Sequence, residues 1–263
     1  MTSTAGKPHI GFFSLVFSLS IPFWILGAYV DLSGRIPINL PISALMLLCP
    51  MTAVIIVLWN KKGAVRSLFK RAVDAGSIHN PAWYIPALVL IPSLLLTAYG
   101  IMKTLQVPLP RPHLQIEVAA LLLVLFFGAA ISEEVGWTGY MTDPLQQRFG
   151  ALKAALLIGT VWAAWHTIPY IQAHRSSAWI LRHSLGTVAL RVIIVWLYNN
   201  THKSLFAAVL CHTTVNMSEF LFPNYGSHYD PFVFGVGLIL TALLVTWLWG
   251  GKMLTQYRFA PLK

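Results

Sequence analysis

Two glutamates stand side by side in the segment Ile131-Ser-Glu-Glu-Val-Gly-Trp-Thr-Gly-Tyr140, at the end of a long apolar run, in a chain with only eight acidic residues. His166, Arg191 and His212 also fall inside apolar stretches, and Asn216 follows His212. Carboxylates and imidazoles exchange protons with water, and amide N–H groups can hold an oxyanion. Hydrolysis of a peptide bond needs both. An ionisable side chain at the centre of a bilayer costs about 3 kcal/mol or more, so such groups face a protein interior or a water-filled cavity. They are therefore the functional candidates.

Their spacing suggests which of them act together. His212 and Asn216 are four residues apart and share a helix face, as do Trp162 and His166. Glu134 and Thr138 have the same spacing, so the hydroxyl can reach the carboxylate if the helix continues through Gly136, while Glu133 points about 100° away. Two neighbouring carboxylates in a poorly hydrated site repel one another, which is one way to make a general base that works near neutrality. Arg191 lies too deep to snorkel and needs a counter-charge, for which Glu133 and Glu134 are the candidates. Arg182 and His183 are expected to snorkel to the outer interface, and His174, His183, His202 and His228 receive no role.

Each group also has a plainer reading. The glutamate pair can be a solvated cap at a helix end, and a lone histidine in a span can be a hydrogen-bonding link between helices. Two histidines with an asparagine one turn away favour a site. Cys49 and Cys211 both fall inside apolar windows, so neither a disulfide nor a metal role is expected of them.

The elements that position these residues are apolar helices. The chain has 263 residues, 57% of them hydrophobic and 10% charged, with mean hydropathy +0.68, more than a soluble domain of this size hides from water. Eight windows are long enough to cross about 30 Å of hydrocarbon: Gly11–Val30, Leu40–Asn60, Trp83–Gly100, Leu114–Glu134, Ala151–Tyr170, Trp179–Tyr198, Ser204–Phe222 and Pro231–Gly250. The expected fold is all-α: one integral, multi-pass membrane domain over residues 1–263, with a polar site inside the bundle and a motif-bearing core at 114–222. The first window is read as a retained helix and not a signal peptide. Between the fourth and fifth windows, Thr142 or Asp143 as N-cap, Pro144 in the first turn and Gly150 as stop predict a separate short helix along the interface. Pro169 predicts a bend or an end of the fifth helix just past His166.

The net charge of +10 sorts by loop and does not point to nucleic acid. Twelve basic residues, among them Lys7, the Lys61–Arg71 group and Lys263, fall on one side. Five, among them Arg35 and Arg175, fall on the other. The bias places both termini in the cytoplasm, with the cell membrane as the site if the chain is bacterial. The expected partners are the lipid bilayer and a peptide or membrane-protein substrate.

Three motifs, EEVGWTGY at Glu133–Tyr140, WAAWH at Trp162–His166 and HTTVN at His212–Asn216, together resemble the CAAX prenyl endopeptidase type 2 or Abi family, the CPBP intramembrane proteases. The resemblance covers about Leu114 to Phe222. It implies an endopeptidase whose water is activated by Glu133 with His166, while His212 and Asn216 stabilise the oxyanion and Glu134 positions its neighbours. Where the family commonly has arginine, four residues after the second glutamate, this chain has Thr138. Arg191 from the sixth window is expected to supply the guanidinium instead, with Thr138 and Trp162 in support.

A second version has His166, His212 and Glu133 or Glu134 holding zinc with an open position for water. Because the ligands come from separate helices, spacing does not decide between the versions. There is no HExxH motif and no Gly-x-Ser-Gly nucleophile. The alternatives are a non-catalytic family member acting in bacteriocin self-immunity or as a membrane scaffold, and a proton-coupled transporter, although no pair of interrupted spans in matching halves supports the latter.

Overall fold

The computed structural model describes residues 8–30, 41–113, 115–223, 226 and 228–259. Lys7, Arg35 and Lys263, used in the charge bias, lie outside the described residues, as do the window starts Leu40 and Leu114. Among the described residues the structure is helical, without strands. In chain order, α1 is Pro8–Tyr29, a 3₁₀ helix Ile42–Leu48 runs into α2 (Cys49–Leu58), and α3 is Ala64–Ala72. Then follow α4 (Tyr84–Thr104), α5 (Ile116–Glu134), a π-helix at Val135–Thr142, α6 (Asp143–Phe149), α7 (Ala151–Gln172), α8 (Ser177–Asn200), α9 (Leu205–Leu221) and α10 (Pro231–Trp249).

Each apolar window lands on an apolar helix. Among the described residues, six helices are long and apolar enough to cross a membrane, and two, Ile42–Leu58 and Leu205–Leu221, are shorter. The fold is thus an all-α, multi-pass membrane bundle. Its surface carries bare apolar side chains, such as Leu96, Val124 and Leu243, which only lipid can cover. Inside, α8 packs against α7 and α10, while α9 contacts α4, α5 and α8. From Ala189 to Tyr198 every residue of α8 is buried, so this helix is surrounded by protein and can carry a charge at depth. At 17 residues, α9 rises only about 26 Å.

One local expectation is corrected and one is narrowed. The short helix at 143–149 is not a separately capped element, because Thr142 is helical and makes no capping hydrogen bond. The chain passes from α5 through the π-helix into α6 as one helical run, Ile116–Phe149, which ends at Gly150 with φ of 81°. The wide turn is supported by the Thr142 hydroxyl donating to the Trp137 carbonyl five residues back, at 3.0 Å. Nor does Pro169 end the fifth span, since α7 continues to Gln172 with Pro169 buried inside it.

Close backbone approach fixes the centre. A Cβ on Gly159 of α7 would come within 3.0 Å of the Val188 Cα and 3.1 Å of the Arg191 Cβ. The glycine therefore lets α7 and α8 meet where the buried arginine leaves its helix.

Candidate active site

The end of α5 brings both glutamates into the bundle, and their surroundings then separate them. Glu134 is fully buried. Arg191 of α8 grips it with two hydrogen bonds, Nη1 to Oε2 at 2.8 Å and Nη2 to Oε1 at 3.0 Å. Thr138 donates to the same Oε2 across one turn of the widened helix, and Arg191 Nη1 is 3.3 Å from the threonine oxygen. His212 Nδ1 of α9 lies 2.9 Å from Oε1. Two donors on each oxygen fill the acceptor sites of a carboxylate. Glu134 thus has no lone pair left with which to activate water, and it ties α5, α8 and α9 together.

Glu133 is held more loosely. Its Oε2 accepts from Trp162 Nε1 of α7 at 2.7 Å. Among the described residues Oε1 has no protein donor, and the side chain lines a cavity. The two glutamates remain linked through Trp162, because the Arg191 guanidinium lies over its indole, 4.2 Å from the ring centroid. Arg191 Nε is buried without a hydrogen-bond partner among the described residues, so that face of the guanidinium rests on the ring.

Both imidazoles have their tautomer set by a partner. His166 Nδ1 is 2.9 Å from the Trp162 carbonyl. A carbonyl only accepts, so Nδ1 carries the proton and, in the neutral ring, Nε2 keeps a lone pair. His212 Nδ1 likewise donates to the filled carboxylate of Glu134. His166, His212 and Asn216 all border a cavity of about 80 Å³ with Glu133. A larger one of about 220 Å³ shares Glu133, His166 and Asn216 with it and extends toward the Ala173–Arg175 turn and the 3₁₀ helix before α2. The expected site residues Glu133, His166, His212 and Asn216 therefore share one cavity, while Glu134, Thr138 and Arg191 form its closed base and Trp162 joins the two.

The same cavities contain residues that the sequence reading passed over. Glu219 lines both, with Tyr170, His183 and Tyr229. The Tyr229 hydroxyl donates to Glu219 Oε1 at 3.1 Å and lies 3.3 Å from His183 Nδ1. His183 does not snorkel outward. Its ring stacks on Trp179 at 4.8 Å and 9° and meets Tyr170 edge-on, so aromatic packing turns it inward. The signal for Glu219 was present, since 212, 216 and 219 fall on one helical face.

The zinc version finds no assembled ligand set. Among the described residues no three His, Cys, Asp or Glu side chains gather as a metal-binding group, and both oxygens of Glu134 are committed to protein donors.

Residues 115–218 match the family model described as type II CAAX prenyl endopeptidase Rce1-like. The CAAX prenyl protease 2 of Methanococcus maripaludis is 28% identical over 231 residues, which cover 81% of this chain and 84% of that protein. With the helical bundle and its buried polar cavity, these matches make the chain a membrane-embedded protease. The resemblance read from the three motifs holds: the chain is similar to the type II CAAX prenyl endopeptidases of the Rce1-like kind.

Proposed function

We propose that the protein cleaves a peptide bond inside the bundle with a water activated by Glu133, without a resident metal. The observation that carries this reading is the contrast between the two carboxylates: Glu134 is saturated by protein donors, and Glu133 keeps an oxygen for the cavity. A water there gives one hydrogen to Glu133 and the other to the lone pair of His166 Nε2, which orients its oxygen toward the substrate carbonyl.

Glu133 takes the proton as the C–O bond forms. The oxyanion accepts from the Asn216 amide, joined by His212 in its charged form, for which Glu134 is the adjacent counter-charge. Glu133 then passes the proton to the amine nitrogen as the C–N bond breaks, so the carboxylate is regenerated. Arg191, Thr138 and Trp162 act through the glutamates they hold.

The name of the archaeal relative suggests the C-terminal segment of a prenylated protein as substrate, and a peptide or membrane-protein tail is the broader class. The test compares wild type with Glu133→Gln in membranes by mass spectrometry of released peptides. Cleavage by the wild type alone is expected. Normal cleavage by a well-inserted Glu133→Gln protein would end the reading.

A further inference from the structure

The Glu219 end of the cavity is not used by the chemistry just described, yet it is built for a ligand of a particular kind. Glu219 stands three residues after Asn216 and seven after His212 on α9, so it sits about 5 Å along the axis from Asn216 and about 10 Å from His212, on the same face. An extended peptide advances about 3.3 Å per residue, which makes this about one to three residues of substrate.

The carboxylate shares its cavity with a group of aromatic rings. Tyr229 holds its Oε1, and Tyr170, Trp179 and His183 pack together beside Tyr229 in mutual ring contacts. A carboxylate set among electron-rich aromatic faces is the environment that takes an ammonium or guanidinium group, by ion pairing and cation–π attraction together. The charge balance agrees. Among the described residues lining the larger cavity, Glu133 and Glu219 face a single guanidinium, Arg175, which already lies over the Trp179 ring at 4.9 Å. Arg191 is committed to Glu134 and does not line the cavity.

We propose that Glu219 is a specificity residue that binds a lysine or arginine side chain of the peptide about one to three residues from the bond cleaved. The subsite rests on the proposed protease reading for its place relative to the scissile bond, but its binding is measurable without cleavage.

The experiment uses the full chain in lipid nanodiscs and peptides matched except for lysine, norleucine or glutamate placed one to four residues on either side of the cleaved bond. At one of these positions lysine should exceed norleucine in kcat/KM by about tenfold, chiefly through KM, with glutamate the poorest. Glu219→Gln should bring the lysine-to-norleucine ratio close to one, and Glu219→Asp should keep its sign. A purely structural role would lower turnover of all three peptides alike and leave the ratio standing, which would overturn the proposal, as would a wild type indifferent to charge at every position. Should Glu219→Gln fail to fold, the wild-type peptide series and Glu219→Asp decide the matter by the same criteria.

Binding to the Glu133→Gln protein separates the two readings. There, lysine peptide binding about tenfold tighter than norleucine peptide, lost on adding Glu219→Gln, supports the subsite even if Glu133 proves not to be the base. Equal binding of the two peptides refutes the subsite while leaving the protease chemistry intact.

Discussion

Glu133 and Glu134 are neighbours in sequence, and both are buried, but they occupy opposite environments. Around Glu134 the protein supplies two guanidinium contacts, an imidazole and a hydroxyl. Around Glu133 it supplies one indole N–H and an open cavity. One helix step of about 100° carries the chain from a sealed base to the wall of the cavity. The difference teaches that a buried carboxylate in a membrane bundle is structural or chemical according to whether its lone pairs are filled, and that an adjacent pair allows both states at one level of the membrane.

The comparison can be broken at its sealed side first. Arg191→Ala leaves Glu134 buried without its guanidinium, and loss of one partner from a buried pair costs about 3–5 kcal/mol. The expected result is a large fall in the midpoint of thermal unfolding in detergent, with activity lost in proportion to folded protein. Unchanged stability would mean that the pair does not anchor the three helices.

On the open side, Asn216→Ala removes the proposed oxyanion donor without touching the ion pair. A fall in kcat of about 100-fold or more is expected at near-normal stability. Trp162→Phe keeps a ring under Arg191 and deletes the N–H that holds Glu133. It should lower kcat by about tenfold, on the order of one hydrogen bond to a charged group, with little change in unfolding. A loss of stability as large as that of Arg191→Ala would place Trp162 on the sealed side instead.

Thr138→Ala removes one of four donors to Glu134 and should cost about 1 kcal/mol of stability. Smallest of all is the effect of metal removal. With the ligand set unassembled, dialysis against a strong chelator should leave peptide cleavage unchanged, whereas loss of activity restored by zinc would revive the metal version.

Much of this architecture was legible before the structure, for physical reasons. Long apolar windows mark membrane helices because the bilayer sets their length, and a charge as deep as Arg191 demanded an acidic partner. The pairing with Glu134 rather than Glu133 was not decidable from charge balance, since adjacent residues differ only by rotation about the helix. Asp143, Pro144 and Gly150 do bound α6, but reading Thr142 as its N-cap failed because such residues also tolerate a π-turn, whose i→i+5 bonding leaves no mark in composition. Glu219 and His183 were passed over because they lie near span ends, where exposure to water is the ordinary expectation. Only the packing of Tyr170, Trp179 and Tyr229 shows that this end of the bundle closes over a cavity.

The division of labour between the two glutamates is tested most directly by comparing Glu133→Gln with Glu134→Gln in membranes, measuring folded protein and released peptide on the same samples. The expected result is a Glu133→Gln protein as stable as wild type that releases no peptide, and a Glu134→Gln protein whose activity per folded molecule persists while its stability falls. Peptide release by Glu133→Gln, or a stable and wholly inactive Glu134→Gln, would contradict the account.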